Sequence, residues 1–215
     1  DPENRDKDPV LQSFRVEQSQ AQPIHPGSYL HVAKALPAER SLSQLTLECW
    51  IRPFQLFGWQ GLVTQHDYPE RCGIGLFLSE GKIVFGTGSG GAYDASAFQQ
   101  TKAGLIKAHR WHHVVGSWDG KKKRIYLDGK LVADTSFSDP VRPGKTALRI
   151  GAYGQEGKAV NFFNGDLAMC AIYDRALNED QIKKRFDDRG LSVPQNDRLL
   201  ACWPFTEEKG KQVAD

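Results

Sequence analysis

No apolar run in this chain approaches the roughly 18 residues that a membrane-spanning helix requires, and no charged-then-apolar leader opens it, because it begins DPENRDKDP. An excess of charge of one sign is missing as well. Twenty-eight Lys and Arg stand against 26 Asp and Glu, and a net charge of +2 is too small to draw nucleic acid phosphates or an anionic membrane surface. Cysteine is scarce, and Cys49, Cys72, Cys170 and Cys202 contain no C-x-x-C, so zinc and thioredoxin-like chemistry are not indicated. Most of them fall inside apolar runs, which predicts free buried thiols and a reducing compartment; cytoplasmic is favoured over secreted or periplasmic, and the even count leaves a disulfide open. An initiator Met is absent too, which reads as a processed chain or an excerpt.

What is present suffices for one domain with a full core: 215 residues, 40% hydrophobic and 25% charged. Residues 1–13 are polar and rich in Asp, an exposed lead-in, and structure is expected from near Phe14. From Leu45 the chain alternates: Leu45, Leu47, Cys49 and Ile51 on one face, Thr46, Glu48, Trp50 and Arg52 on the other, until Pro53. This is a strand buried on one side. Similar runs recur at 28–32, 60–66, 73–79, 82–87, 111–118, 123–127, 130–134, 146–152, 162–173 and 198–205. Glu80-Gly81 and Asp128-Gly129 supply hairpin turns. One helix is predicted over 179–188, with Asn178 and Gln181 forming a capping box and Gly190 ending it. Its short apolar face, Ile182 and Phe186, would lie as a plug against the rest. Ten or more strands with one short helix make an all-β fold of two packed antiparallel sheets.

Motifs for chemistry are few. His112 and His113 are adjacent on a strand and point to opposite faces, so they do not share one metal ion; His25, His31, His66 and His109 are scattered. No G-x-S-x-G elbow is present. Gly144-Lys145-Thr146 has the tail of a phosphate loop, but Asp139 stands where the first glycine belongs. GTGSGG at 86–91 lacks a following helix and reads as a strand passing into a loop. Lys121 to Arg124 lie at a hairpin edge, where lysine discourages edge-to-edge pairing.

Three segments, LTLECWIRP (45–53), RWHHVVGSWDGKKKRIYLDGKLVADT (110–135) and LRIGAYGQEGKAVNFFNGDLAMCAIYDRALNEDQI (148–182), resemble the laminin G-like, concanavalin A-like jellyroll family, in its bacterial pentraxin-related branch. GSYLHV, the stretch 60–91, NFFNGDLAMCAIYDRAL and RLLACWPF resemble more narrowly the lectin-like region in the large subunit of the N,N-dimethylformamidase family. That resemblance implies a jellyroll over 14–205, a linker starting at 206–215, and an iron-binding catalytic domain beyond it, so no family catalytic residue falls within this chain. Jellyroll glycosidases set paired acids on one strand, and Glu48 is the only acid in its strand.

The expectation is a non-catalytic module of a larger bacterial protein, with contacts to a neighbouring domain or partner subunit, and no nucleic acid or membrane partner. The alternative is a carbohydrate-binding domain. Its ligand residues would be loop aromatics, Trp59, Tyr68, Tyr93 and Tyr153, with Phe57 and Phe162 in similar positions, although such rings more often plug the ends of a sandwich. No cofactor is expected beyond the structural calcium that the resemblance implies, for which Asn164 and Asp166 remain as ligands; Ala168 replaces a usual Asp. In 167–173 both alternating sets are apolar, so Met169 and Ala171 are expected to pack against a neighbouring domain or a partner subunit.

Overall fold

The computed structural model describes residues 29–32, 36–194 and 198–205. The lead-in, the expected start at Phe14, His25 and the linker at 206–215 lie outside the described residues. Sheet I is ordered β1 (Leu30–Val32), β10 (Leu148–Ile150), β3 (Trp59–Tyr68), β4 (Arg71–Ser79), β5 (Lys82–Gly91) and β6 (Phe98–Gln100). The hairpin β11 (Tyr153–Gln155) and β12 (Lys158–Val160) joins it where β11 runs parallel to β3, a departure from the expected all-antiparallel pairing. Sheet II is ordered β14 (Leu199–Trp203), β13 (Gly165–Tyr173), β2 (Leu45–Pro53), β7 (His112–Trp118), β8 (Lys122–Leu127) and β9 (Lys130–Ser136).

Local chemistry sets the turns where the sequence placed them. Glu80 and Gly81 take φ of 49° and 70°, Asp128 and Gly129 take 51° and 74°, and this pair of positive values is what the right-handed twist of a two-residue hairpin demands. Between the sheets, Leu45, Leu47, Cys49 and Ile51 of β2 meet Leu62, Ile74, Leu76, Leu78, Ile83 and Phe85 of sheet I. Each such side chain stabilises the fold by about 1.5–3 kcal/mol through removal from water. β6, β11 and β12 escape sequence reading because three residues such as FQQ or KAV are too short to display a period. β5 runs on to Gly91, beyond the expected end at 87.

The largest correction concerns the other face of β2. Thr46 and Glu48 are fully buried, not solvated, because α1 (Glu179–Asp187) lies across that face of sheet II. A second apolar layer results, built from Val115, Tyr126, Met169, Ala171, Tyr173, Leu177, Ile182 and Cys202. The helix starts as expected: the Asn178 side chain accepts from the Gln181 amide (2.9 Å) and Gln181 Oε1 accepts from the Asn178 amide (3.0 Å). It ends where Arg189 and Gly190 turn into positive φ (54° and 70°).

A bulge in β13 completes the second layer. Met169 stands at φ 36° where the register against β2 shifts between Ala168 and Cys170. The extra residue breaks strict alternation, so Leu167 belongs to the main core while Met169, Ala171 and Tyr173 belong to the layer under the helix.

Candidate functional site

Among the described residues no α-helix covers the outer face of sheet I. On β4, Phe77 alternates with core-facing Leu76 and Leu78 and so points away from the sandwich, beside Val84 of β5. Its ring lies on bare backbone: a Cβ on Gly75 would stand 2.5 Å from Phe77 Cζ. Phe98 of β6 lies likewise over Gly86, where a Cβ would stand 2.6 Å from its ring. Two glycines on neighbouring strands therefore form a floor, and two rings lie on it because nothing rises between them.

The loop aromatics singled out from sequence gather around that floor. Trp59 meets the edge of Phe77 (centroids 5.9 Å apart, 75°) and Tyr153 meets it from another side (5.8 Å, 78°). Tyr93 stacks on Phe98 (5.4 Å, 27°), and Tyr68 meets the edge of Tyr93 (5.6 Å, 66°). All four thus join one continuous set of rings instead of plugging the ends of the sandwich. Three of them stay open to solvent, Trp59 at 41%, Tyr68 at 42% and Tyr93 at 48%. Phe57 is exposed, and Phe162 packs on Tyr29 at 5.8 Å. Phe77, Phe98 and His66 were missed by sequence reading; the available signal was glycine alternating with large apolar residues in GIGLF and VFGTG.

His66 sits beneath the rings, 4% exposed and met edge-on by Phe77, Phe98 and Tyr153. Burial pushes its imidazole down to about 4, against a weaker opposing pull from Asp67, so the ring is neutral near pH 7. Its Nδ1 is buried without a hydrogen-bond partner, and its Nε2 lies 4.0 Å from Cys72 Sγ. Burial pushes the Cys72 thiol up to about 11, helped by Asp67 and Glu70. A neutral imidazole beside a protonated thiol is the reverse of an activated nucleophile, so this pair adds neither charge nor an attacking group to the stacking area around it.

Sheet II holds the opposite arrangement. Under α1, the fully buried Glu48 carboxylate accepts from Tyr173 Oη (2.5 Å), His113 Nε2 (2.9 Å) and Arg185 Nε (3.1 Å). Burial alone would raise its pKa, but His113, Arg185 and Tyr173 outweigh that and hold it below the ordinary carboxylate value. Because a carboxylate only accepts, Nε2 of His113 carries the proton. His112, on the other face as expected, bonds the hairpin residue Asp128 through Nδ1 (2.9 Å).

Met169 and Ala171, expected to face another domain or subunit, are 1% and 0% exposed because the chain's own helix covers them. The demand for cover is met from within, and these residues offer no interaction face. Of the two expected calcium ligands, Asp166 is buried and bonded by Arg52 Nε (2.6 Å), while Asn164 is exposed and its amide donates to Gln60 Oε1 (2.9 Å). Among the described residues no three His, Cys, Asp or Glu side chains converge as a metal site. The four cysteines are all buried and unbridged.

Comparison with known proteins places this geometry. The chain is 28% identical over 180 residues to the N,N-dimethylformamidase beta subunit of Paracoccus aminophilus and 24% identical over 174 residues to that of an Alcaligenes species. Each match covers 69% of this chain but 22% of the relative, so the chain spans about a fifth of the length of the curated relatives it matches. In fold it is similar to a putative carbohydrate binding protein from Bacteroides ovatus (TM-score 0.67, 18% identity, 86% of this chain and 51% of that one). A heptameric SAP-like pentraxin from Limulus polyphemus is also similar (TM-score 0.61, 18% identity, 81% and 85%). No described helix is long and apolar enough to cross a membrane. The concanavalin A-like lectin/glucanases superfamily matches residues 26–183, well over half of the chain, and to that family the chain belongs.

Proposed function

We propose that this chain is a non-catalytic jellyroll module of a larger amide hydrolase of the dimethylformamidase type, and that the ring-lined face of sheet I is the surface it presents to a neighbouring domain or subunit. One observation carries the reading. Trp59, Tyr68 and Tyr93 remain two-fifths or more exposed around the rings of Phe77 and Phe98 on Gly75 and Gly86, and exposed aromatic patches of this kind are what domain contacts cover. The uncharged state of His66 and Cys72 supports it, since neither is poised for proton transfer or attack. So does the match to one fifth of proteins named as beta subunits.

The second reading, a carbohydrate-binding face, draws on the same exposed rings and on the fold likeness to a carbohydrate binding protein. The double variant Trp59→Ala/Tyr93→Ala in the full-length protein separates the two. Docking predicts that the variant loosens the module, seen as faster limited proteolysis at its boundary or loss of subunit association on gel filtration, while a glycan panel stays blank. Glycan binding by the parent that the variant abolishes, with assembly unchanged, would overturn the docking reading.

A further inference from the structure

On sheet II, α1 covers only part of the outer face. Its cover ends at Phe186 and Asp187, and beyond them the row Ala168–Trp50 remains beside Trp111, which immediately precedes β7. An open cleft of about 500 Å³ lies there, lined by Trp50, Trp111, Ala168, Phe186, Asp187 and Arg189. That volume lies within the range of small-molecule sites, roughly 300–1,000 Å³.

The walls are rings held in place. Trp50 stacks on Phe186 (5.8 Å, 12°), and the Arg52 guanidinium, itself paired with Asp166, sits 5.2 Å from the Trp111 ring centre. The backbone of Gly190 closes against Trp50, where a Cβ would stand 3.1 Å from the indole. The two charges at the cleft are unequal. Asp187 is already held by Lys183 at 2.7 Å, whereas Arg189 has no carboxylate within ion-pair distance among the described residues. The left-handed turn ending α1, φ 54° at Arg189, places this unpaired cation on an aromatic wall.

We infer that this cleft is a binding site for a small aromatic carboxylate, its ring between the indoles and its carboxylate on Arg189. Guanidinium and carboxylate form strong charge-assisted pairs where water is partly excluded. A sugar acid shares the carboxylate but carries hydroxyls around its ring. Besides Arg189 and the already engaged Asp187, the lining offers side-chain polar atoms only as the two indole N–H donors, of which Trp50 Nε1 is buried without a partner, so most of those hydroxyls would lose water without gaining partners. The site lies on the opposite sheet from the ring face and is independent of the function proposed for it.

The test uses the 215-residue chain and ligand-observed NMR with 2-naphthoate, its uncharged amide 2-naphthamide, and glucuronate. Naphthoate should bind about tenfold or more tightly than naphthamide, the discrimination expected of a charged hydrogen bond, and glucuronate should not bind. Arg189→Gln should bring naphthoate down to the level of naphthamide and leave naphthamide unchanged; Trp111→Ala should weaken both; Trp59→Ala, on the other sheet, should change neither. Arg189 is exposed, so its replacement keeps the fold, which an unchanged melting temperature verifies. Equal binding of acid and amide, insensitivity to Arg189→Gln, or tighter binding of glucuronate than of naphthoate would each overturn the inference.

Discussion

The two outer faces of this sandwich solve one problem in opposite ways. Sheet II buries charge: Glu48 and His113 lie under α1, Glu48 is bonded both by His113 and by Arg185 of the helix itself, and the helix is held by that bond as well as by Ile182. Sheet I, among the described residues, has no ion pair under its rings, its buried Asp67 and Arg149 being bridged through Thr146 to one side; it strips its strands to glycine and lays Phe77 and Phe98 on the backbone around a neutral His66. A sealed polar cluster is costly to disturb, because every member left behind is an unpaired buried group. Exposed rings over glycine can change partners cheaply, which suits a contact surface.

Removing the acceptor at the centre of the sealed cluster should have the largest effect. Glu48→Ala leaves Arg185 and His113 buried without their carboxylate and should cost ~3–5 kcal/mol in denaturant unfolding. A loss comparable to that of any exposed ring on sheet I would erase the distinction between the faces.

Acid separates the faces next. His66 titrates at about 4 when folded against 6.5 when unfolded, so the stability tied to its neutral form is complete above pH 6.5 and drains away as pH falls towards 4, by as much as about 3 kcal/mol. Glu48, also depressed on folding, contributes stability above its unfolded value of 4.5 that is lost as pH falls through its lower folded value. Unfolding measured from pH 7 to 3 should lose its upper limb in His66→Phe and keep its lower one.

Smaller changes probe the floor and the lid. Gly75→Ala drives a methyl into the Phe77 ring and should cost roughly 1–3 kcal/mol, with altered tryptophan fluorescence as Trp59 shifts. Asn178→Ala removes the capping box of α1 and should cost about 1 kcal/mol, with faster amide exchange confined to the helix and β13. Trp59→Ala should cost the least, about 1 kcal/mol, since that ring is two-fifths exposed and meets Phe77 only by an edge.

Much of this architecture was legible before any fold was known. Alternation in LTLECWIRP placed Leu45, Leu47, Cys49 and Ile51 in the core, Asp128-Gly129 marked its hairpin, and Asn178 with Gln181 marked the helix start. The candidate site was half legible: Trp59, Tyr68, Tyr93 and Tyr153 stood out as aromatics beside loops, but their convergence on Phe77 and Phe98 did not. Nor did the destination of Met169 and Ala171, whose two-faced apolar strand was read correctly as needing cover while the cover itself came from the chain's own helix.

The sequence by itself determined the periods, turns and caps, because those depend on φ preferences and hydrogen bonds within a few residues. Only the tertiary structure decided which face each period served. A single extra residue at Met169 reverses the phase of β13, and the docking of α1 turns Glu48 from a solvated acid into the centre of a buried cluster. Such outcomes rest on contacts between residues far apart in the chain, Glu48 with Arg185 or Phe77 with Tyr153, and local alternation carries no information about which distant strand or helix will arrive.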